Sequence, residues 1–497
     1  MTKPTNVDLH LTSSMEKGAG APASETPLRL LVLGDFGGST GGPVASRRIL
    51  GVDRDNLEVL PGSLGVRASV ELTGQGRIDL AFRTLEDFHP DRIAERVPVF
   101  EAMRDTRRKL EDPRTFVEAA KAVRAWAGEA PARPSAPPAE PAGEAGDVMR
   151  ELLAGAARQP KRGIDASFEA ELKEIVRPHL VPGEDPDRSR LVAAVDGVMA
   201  DLMRSILHHP RIKAIEAAWR GLDLLVRRVD EEAVKLFVLD LSRNDLVSDL
   251  TAAESLDRTG LWRRLVGETV ETPGAEPWGA VVALYEFGPA LKDAALVARL
   301  AKLARAAGAP VLAGARPGFL GCESLAATPD PDDWKTPPSE DAVALWEAVR
   351  SLPEAAWFAL ALPRLLLRLP YGARTEPIES FAFEEMPGTP DHEAYLWGNP
   401  AFACALVVAG AFAQNGWALK PETHAEIADL PTHIVEGEIE TRITPPSEVV
   451  LTIRAAERIL EAGLVPVLSL KGQDVVRVAR LQSIASPLRK LSGRWKG

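Results

Sequence analysis

GAVVALYEFGPALKDAALVARLAKLARAAGAPVLAGA, residues 279–315, reads as strand, helix, strand. Residues 279–285 form an apolar run of strand length, residues 294–307 place apolar side chains at helical spacing, and residues 310–315 are a second short apolar run. Strands that are apolar on successive residues are covered on both faces, and a helix between two of them is the crossover of a parallel sheet. The fold class is therefore α/β (α+β).

Working outward, residues 235–241 are another β-run, followed by Ser242, Arg243, Asn244 and Asp245, where Ser242 or Asn244 suits the cap of a helix. Before it, Ile212, Ile215, Trp219, Leu222, Leu225, Val226 and Val229 recur at three- and four-residue steps behind Pro210, predicting an amphipathic helix. Residues 357–362, 417–419 and 448–453 add strand candidates, the last two near an edge. Residues 328–339, TPDPDDWKTPPS, read as a surface loop.

The front of the chain reads β-β-β-α. Residues 28–33 are continuously apolar and end in Gly34-Asp35, residues 66–72 and 78–82 alternate around Gly74-Gln75-Gly76 as a hairpin, and Asp87-Phe88-His89-Pro90 opens a helix. Ile93, Val97, Phe100, Met103 and Leu110 give that helix one apolar face. Val7, Leu9 and Leu11 alternate with polar residues, as either a short strand or a frayed terminus.

Between front and back lies GEAPARPSAPPAEPAGEAG, residues 128–146, whose proline and alanine content builds no core and predicts an extended tether. The 497 residues allow roughly two to four domains. With 59 basic against 71 acidic residues the net charge is −12, which argues against a nucleic-acid coat. Two cysteines, Cys322 and Cys404, exclude a disulfide framework. The first 27 residues lack a signal-peptide core, and the longest apolar run, residues 401–413, is shorter than the ~20 residues of a bilayer crossing. A soluble, cytoplasmic protein without stable membrane insertion is expected.

Tests for chemistry return little. Gly34-Asp35-Phe36-Gly37-Gly38 follows a strand but lacks the Lys and the glycine spacing of a phosphate loop, so a tight turn is expected. His208 and His209 are adjacent, so their side chains diverge and cannot chelate one metal as i, i+4 ligands do. Asp330, Asp332 and Asp333 lack the Gly and Glu of a calcium loop. No catalytic, cofactor-binding or metal-ligating residue is nominated.

Longer strings carry more. PLRLLVLGDFGG (27–38), VDRDNLEVL (52–60) and FRTLEDFHPDRIAERVP (82–98) together resemble the small subunit of the type VI secretion contractile sheath, TssB/VipA. SILHHPRIKAIEAAWRGLDLLV (205–226), ALYEFGP (283–289), LPRLLLRLPYGARTEPIESFAFEE (362–385) and AYLWGNPAFA (394–403) resemble the large subunit, TssC/VipB. The likeness covers residues 27–112 and 147–485 and implies a small–large fusion packed into one protomer. The corresponding division is an arm (1–26), a small-subunit-like domain (27–127), the tether (128–146), a large-subunit-like domain (147–486) and a basic tail (487–497).

The resemblance implies a structural, non-enzymatic part. Sheath protomers stack in helical rings around a tube of Hcp-type hexamers on a baseplate and contract to drive the tube outward. A ClpV-type AAA+ unfoldase recycles the contracted form. Joining the two subunits fixes their 1:1 ratio and gives an effective concentration of ~mM for a short linker. The motif positions are Leu369, Pro370, Tyr371 and Gly372, flanked by Arg368 and Arg374, and Tyr395, Leu396, Trp397, Gly398 and Asn399. Trp219, Tyr395 and Trp397 suit either core filling or an interface. Val148, Met149, Leu152 and Leu153 share a helical face, either as the unfoldase's ligand or packed on their own domain.

Two departures from the family are expected. Residues 115–126 run into the tether without the small subunit's extended helix and strand, and the large-subunit likeness stops near Ser486. Val7, Leu9 and Leu11 then stand as the exchange strand, its acceptor missing. A truncated, non-polymerising homologue acting as cap, adaptor or regulator of sheath or baseplate assembly is the alternative to a sheath protomer. The basic end, with Arg489, Lys490, Arg494 and Lys496, either docks an acidic neighbour or is a solvated tail.

Overall fold

The apolar run after Pro27 forms a strand whose two faces are both covered by helices. The computed structural model describes residues 26–38, 42–72, 76–127, 188–420, 425–436 and 441–495. In chain order the strands are β1 (Leu28–Gly34), β2 (Leu50–Val52), β3 (Arg67–Leu72), β4 (Gly76–Ala81), β5 (Val234–Asp240), β6 (Ala280–Phe287), β7 (Val311–Ala315) and β8 (Phe358–Leu362). They continue with β9 (Leu365–Leu366), β10 (Trp397–Gly398), β11 (Ala425–Ile427), β12 (His433–Glu436), β13 (Thr441–Thr444), β14 (Val465–Ser469) and β15 (Val476–Val478).

A nine-stranded sheet runs β11-β15-β14-β8-β7-β6-β1-β5-β2. The strands from β14 to β5 are mutually parallel, and β2, β15 and β11 join antiparallel at the ends. Strand β1 lies inside the sheet, paired with β5 through Leu30↔Leu236 and with β6 through Leu30↔Ala280. The chain ahead of residue 128 therefore contributes an inner strand and an edge strand to a sheet otherwise built from the chain beyond residue 187.

Side-chain alternation sorts the core into two layers. Leu28, Leu30 and Val32 pack with Val234, Leu236 and Val238 under helices Pro210–Arg228 and Ala401–Asn415. Leu31 and Leu33 face the opposite layer with Leu239, Val281, Ala283 and Val311, under helices Arg243–Ala252 and Leu291–Ala307. Helix Ala401–Asn415 is apolar all round and buried from Ala401 to Ala409, as a helix segment enclosed by its own protein is. The window Ala401–Ala418 is long and apolar enough for a bilayer, yet half of it is buried inside the fold. A β-carbon on Gly221 would stand 2.0 Å from the Phe402 ring, so glycine sets how closely this helix approaches Pro210–Arg228.

The remaining front elements lie on the back half as well. The hairpin β3–β4 pairs Val70 with Ile78, and helix Pro98–Glu111 lies along Arg188–Leu207, where Arg107 Nε donates to Asp196 Oδ1 at 2.8 Å.

Three expectations need correction. The single helix expected behind Pro90 is two, Pro90–Arg96 and Pro98–Glu111, because Pro98 has no amide to continue the first and Val97 turns extended. Residues 416–418 are a 3-10 turn, not a strand, entered through Gly416 at φ 55. Residues 448–453 form no ladder: Glu448 N donates to Arg364 O, and Thr452 caps helix Ile453–Glu461. Residues 116–127 are helical (Phe116–Ala127).

Candidate functional site: the joint between the two halves

The turn after β1 is built to meet a helix. Asp35 Oδ1 accepts from Gly37 N at 3.1 Å, and Gly37 takes φ 78, which glycine adopts freely. Phe36 N donates to Asp240 Oδ1 at 2.8 Å, and the Phe36 ring meets Trp219 edge-on with centroids 5.1 Å apart. Trp219 Nε1 donates to Phe36 O at 2.9 Å, and Arg211 pairs with Asp35. The turn expected between Gly34 and Gly38 is thus filled by packing, and Trp219 is a core residue.

Beside it lies a buried ionic cluster. Glu216, Arg368 and Glu385 are at most 5% exposed. Arg368 Nε donates to Glu216 Oε1 at 2.8 Å and its Nη1 to Glu385 Oε2 at 2.7 Å. Arg220 Nε donates to Glu216 Oε1 at 2.7 Å, and its Nη2 to the Tyr371 hydroxyl at 2.9 Å. Tyr371 N donates to Glu385 Oε2 at 2.8 Å, and the Arg368 guanidinium lies 4.3 Å from the Tyr371 ring centroid. Burial opposes ionisation of Glu385, but Arg368, His208 and the Tyr371 amide outweigh it and bring its carboxyl down to about 2. Burial likewise opposes the Glu216 carboxylate, and Arg368 and Arg220 hold it below its usual range.

Onto this cluster docks the front segment. The His89 ring stands edge-on to Tyr371, centroids 5.0 Å apart, while its Nδ1 caps helix Pro90–Arg96 by accepting from Asp91 N at 3.3 Å. Asp91 reaches across: it accepts from Glu379 N and Ser380 N, each at 3.0 Å, and from Ser380 Oγ at 2.5 Å. Phe100 stacks on Phe381. Tyr371 therefore meets the front segment, while its motif neighbours turn back on their own loop: Leu369 O accepts from Arg368 Nη1 at 3.0 Å, Pro370 O from the Thr375 hydroxyl, and Gly372 N donates to Glu376 O at 2.9 Å.

The second motif locks an adjoining corner. Tyr395 OH lies 2.7 Å from His433 Nδ1 and 2.9 Å from Thr444 Oγ1, holding the β12–β13 hairpin. Leu396 O accepts from Leu367 N at 3.1 Å, Trp397 Nε1 donates to His392 O at 2.8 Å, and Gly398 pairs with Leu365. A β-carbon at Gly398 would stand 2.5 Å from Leu367 Cδ1. Asn399 Oδ1 accepts from Ala401 N at 2.9 Å, opening helix Ala401–Asn415, and its Nδ2 donates to Tyr285 O at 3.2 Å. Tyr395 and Trp397 are buried packing groups.

Elsewhere, Arg489 and Lys490 are exposed. Arg494 turns inward, its Nη2 donating to Ala307 O at 2.6 Å, which makes it a structural group. Lys496, the tether 128–146, Val7, Leu9 and Leu11, and Val148, Met149, Leu152 and Leu153 lie outside the described residues. His209 caps helix Pro210–Arg228 through Arg211 N, and burial pushes the Cys404 thiol up to about 12. Among the described residues no three His, Cys, Asp or Glu side chains are grouped to hold a metal. Sequence reading missed Glu216 and Glu385. The available signal was Glu216 itself, a charge between Ile212, Ile215 and Trp219 on the apolar face of its helix.

The chain matches known families in two blocks. Residues 189–485 match the VipB family, described as EvpB/VC_A0108, tail sheath N-terminal domain. Residues 5–127 match the family described as Type VI secretion system, VipA, VC_A0107 or Hcp2. The type VI secretion system sheath protein TssC1 of Pseudomonas aeruginosa is 30% identical over 306 residues, covering 60% of this chain and 61% of the relative's length.

Proposed function

Because the chain belongs to the type VI secretion sheath family, with a VipA segment ahead of a VipB segment, we propose that it is a fused protomer that assembles with further copies around an inner tube. The observation carrying this reading is the place of β1, hydrogen-bonded on both sides to strands from the other segment, which makes the two segments one mechanical block. Force applied to either segment passes to the other through a shared sheet and the contacts of Asp91 with Glu379 and Ser380.

In this reading the partners are other sheath protomers, an Hcp-like tube, baseplate components and a ClpV-type unfoldase, and the protein works in the cytoplasm by docking, without converting a substrate. The boundaries 1–26, 27–127, 128–146, 147–486 and 487–497 are proposed as its functional parts. Val7, Leu9 and Leu11 are proposed as an exchange strand, and Val148, Met149, Leu152 and Leu153 as the unfoldase's grip. Negative-stain microscopy of the full chain, alone and with a tube protein, tests the main claim. Ordered tubes are expected. Monomers or small closed oligomers that bind a baseplate component would overturn it in favour of an adaptor.

A further inference from the structure

The two ends of strand β8 carry surfaces of opposite character. At its carboxyl end, beyond Leu362, opens a cleft of about 600 Å³. Its floor includes Leu325 and Leu362, and its walls carry the carboxylates Glu286, Asp293, Glu323, Glu393 and Glu448 against the guanidinium groups of Arg316 and Arg364. Asp293 is engaged by Arg243 and Glu448 by Arg364, which also reaches Glu393 at 3.3 Å, while the Glu323 and Glu393 side chains stand at the exposed rim. The cleft is therefore acidic with an apolar base.

At the amino end of the same strand the chain projects a short loop, residues 487–490. Ile484 N donates to Phe358 O at 2.9 Å, Ser486 N to Arg350 O at 2.9 Å, and Ser492 N to Ala356 O at 2.7 Å, so both ends of the loop are fixed. Ser483 N and Oγ donate to Arg489 O at 3.1 and 2.8 Å, and Gln482 bridges to Lys490. Held this way, the loop presents Leu488, 41% exposed, beside the exposed Arg489. An apolar tip next to a cation complements an apolar floor under carboxylates.

We propose that the Leu488–Arg489 loop of one copy docks in the acidic cleft of the next, a head-to-tail contact between copies of this chain. The proposal rests on reading the chain as a self-assembling protomer and names the surfaces it would use. The two surfaces differ and lie at opposite ends of one strand, ~13 Å apart along it, so the contact is heterologous and leaves a free loop and a free cleft after every addition. Such a contact propagates, where a two-fold contact would stop at a dimer.

Sedimentation velocity on the full chain tests it with two variants. One carries Leu488→Asp with Arg489→Glu, and the other Glu323→Lys with Glu393→Lys; all four side chains are exposed, and circular dichroism checks the fold. The wild type is expected to form larger species as concentration rises, each variant alone to lose them, and an equimolar mixture to regain association, since the intact loop meets the intact cleft and the anionic loop meets the cationic cleft. If either reversal disturbs the fold, Leu488→Ser with Arg489→Gln and Glu323→Gln with Glu393→Gln replace it, with at least a roughly tenfold weaker association expected. Variants that assemble like the wild type would overturn this contact and leave the protomer reading standing. A wild type that stays monomeric, alone and with tube protein, would overturn both.

Discussion

Asp91 and Ser380 stand 289 positions apart, on opposite sides of residues 128–146, and are joined by a 2.5 Å hydrogen bond from the Ser380 hydroxyl. The same carboxylate accepts the Glu379 and Ser380 amides, so one side chain satisfies three donors of the other segment. Its carboxyl is held below the usual range: burial raises it, and the Ser380 hydroxyl and the two amides overcome that. Asp91→Ala strands those donors in a part-buried joint, at a cost of about 1–3 kcal/mol. A urea unfolding series should show a lower midpoint with an unchanged slope. An unchanged midpoint would mean that the joint does not depend on Asp91.

Cutting the chain within residues 128–146 should not separate the halves. Strand β1 is buried between β5 and β6, and its release would break two ladders and expose Leu28, Leu30, Leu31, Val32 and Leu33. At roughly 1.5–3 kcal/mol for each large apolar side chain, that exposure is prohibitive under native conditions. With a protease site placed within residues 128–146, the cut pieces should co-elute in size-exclusion chromatography and part only in denaturant. Elution of the front piece by itself would refute the shared sheet.

How much of this is legible in the sequence follows from the range of each interaction. Leu28–Leu33 announces a strand covered on both faces because that demand is written in consecutive residues, and residues 279–315 announce the crossover for the same reason. That β1 sits between β5 and β6 is not legible, since parallel neighbours share no local signal. The Arg368 cluster is hidden similarly: Glu216 and Arg368 are 152 positions apart, and only their meeting explains either. Residues 448–453 mislead because an apolar run states a preference for extended backbone, while pairing depends on a free neighbouring edge.

Acid should open the fold through its buried carboxylates. Glu385 and Glu448 are both brought to about 2: burial opposes their charge, but Arg368 and His208 for the first, and His392 and Arg364 for the second, prevail. A carboxyl depressed in the folded state binds its proton more readily when unfolded, so its stabilisation is complete above the unfolded value of ~4.3 and drains as pH falls toward ~2. Stability measured by urea midpoint should therefore decline steeply from about pH 5 downward, and Glu448→Gln should lose about one proton's share of that slope. Arg368→Met removes the cation between two buried carboxylates and should cost about 3–5 kcal/mol at neutral pH, with part of the loss recovered on mild acidification as Glu216 and Glu385 take up protons. A variant whose deficit stayed constant from about pH 7 to about pH 4 would show that those carboxylates are not held charged by Arg368.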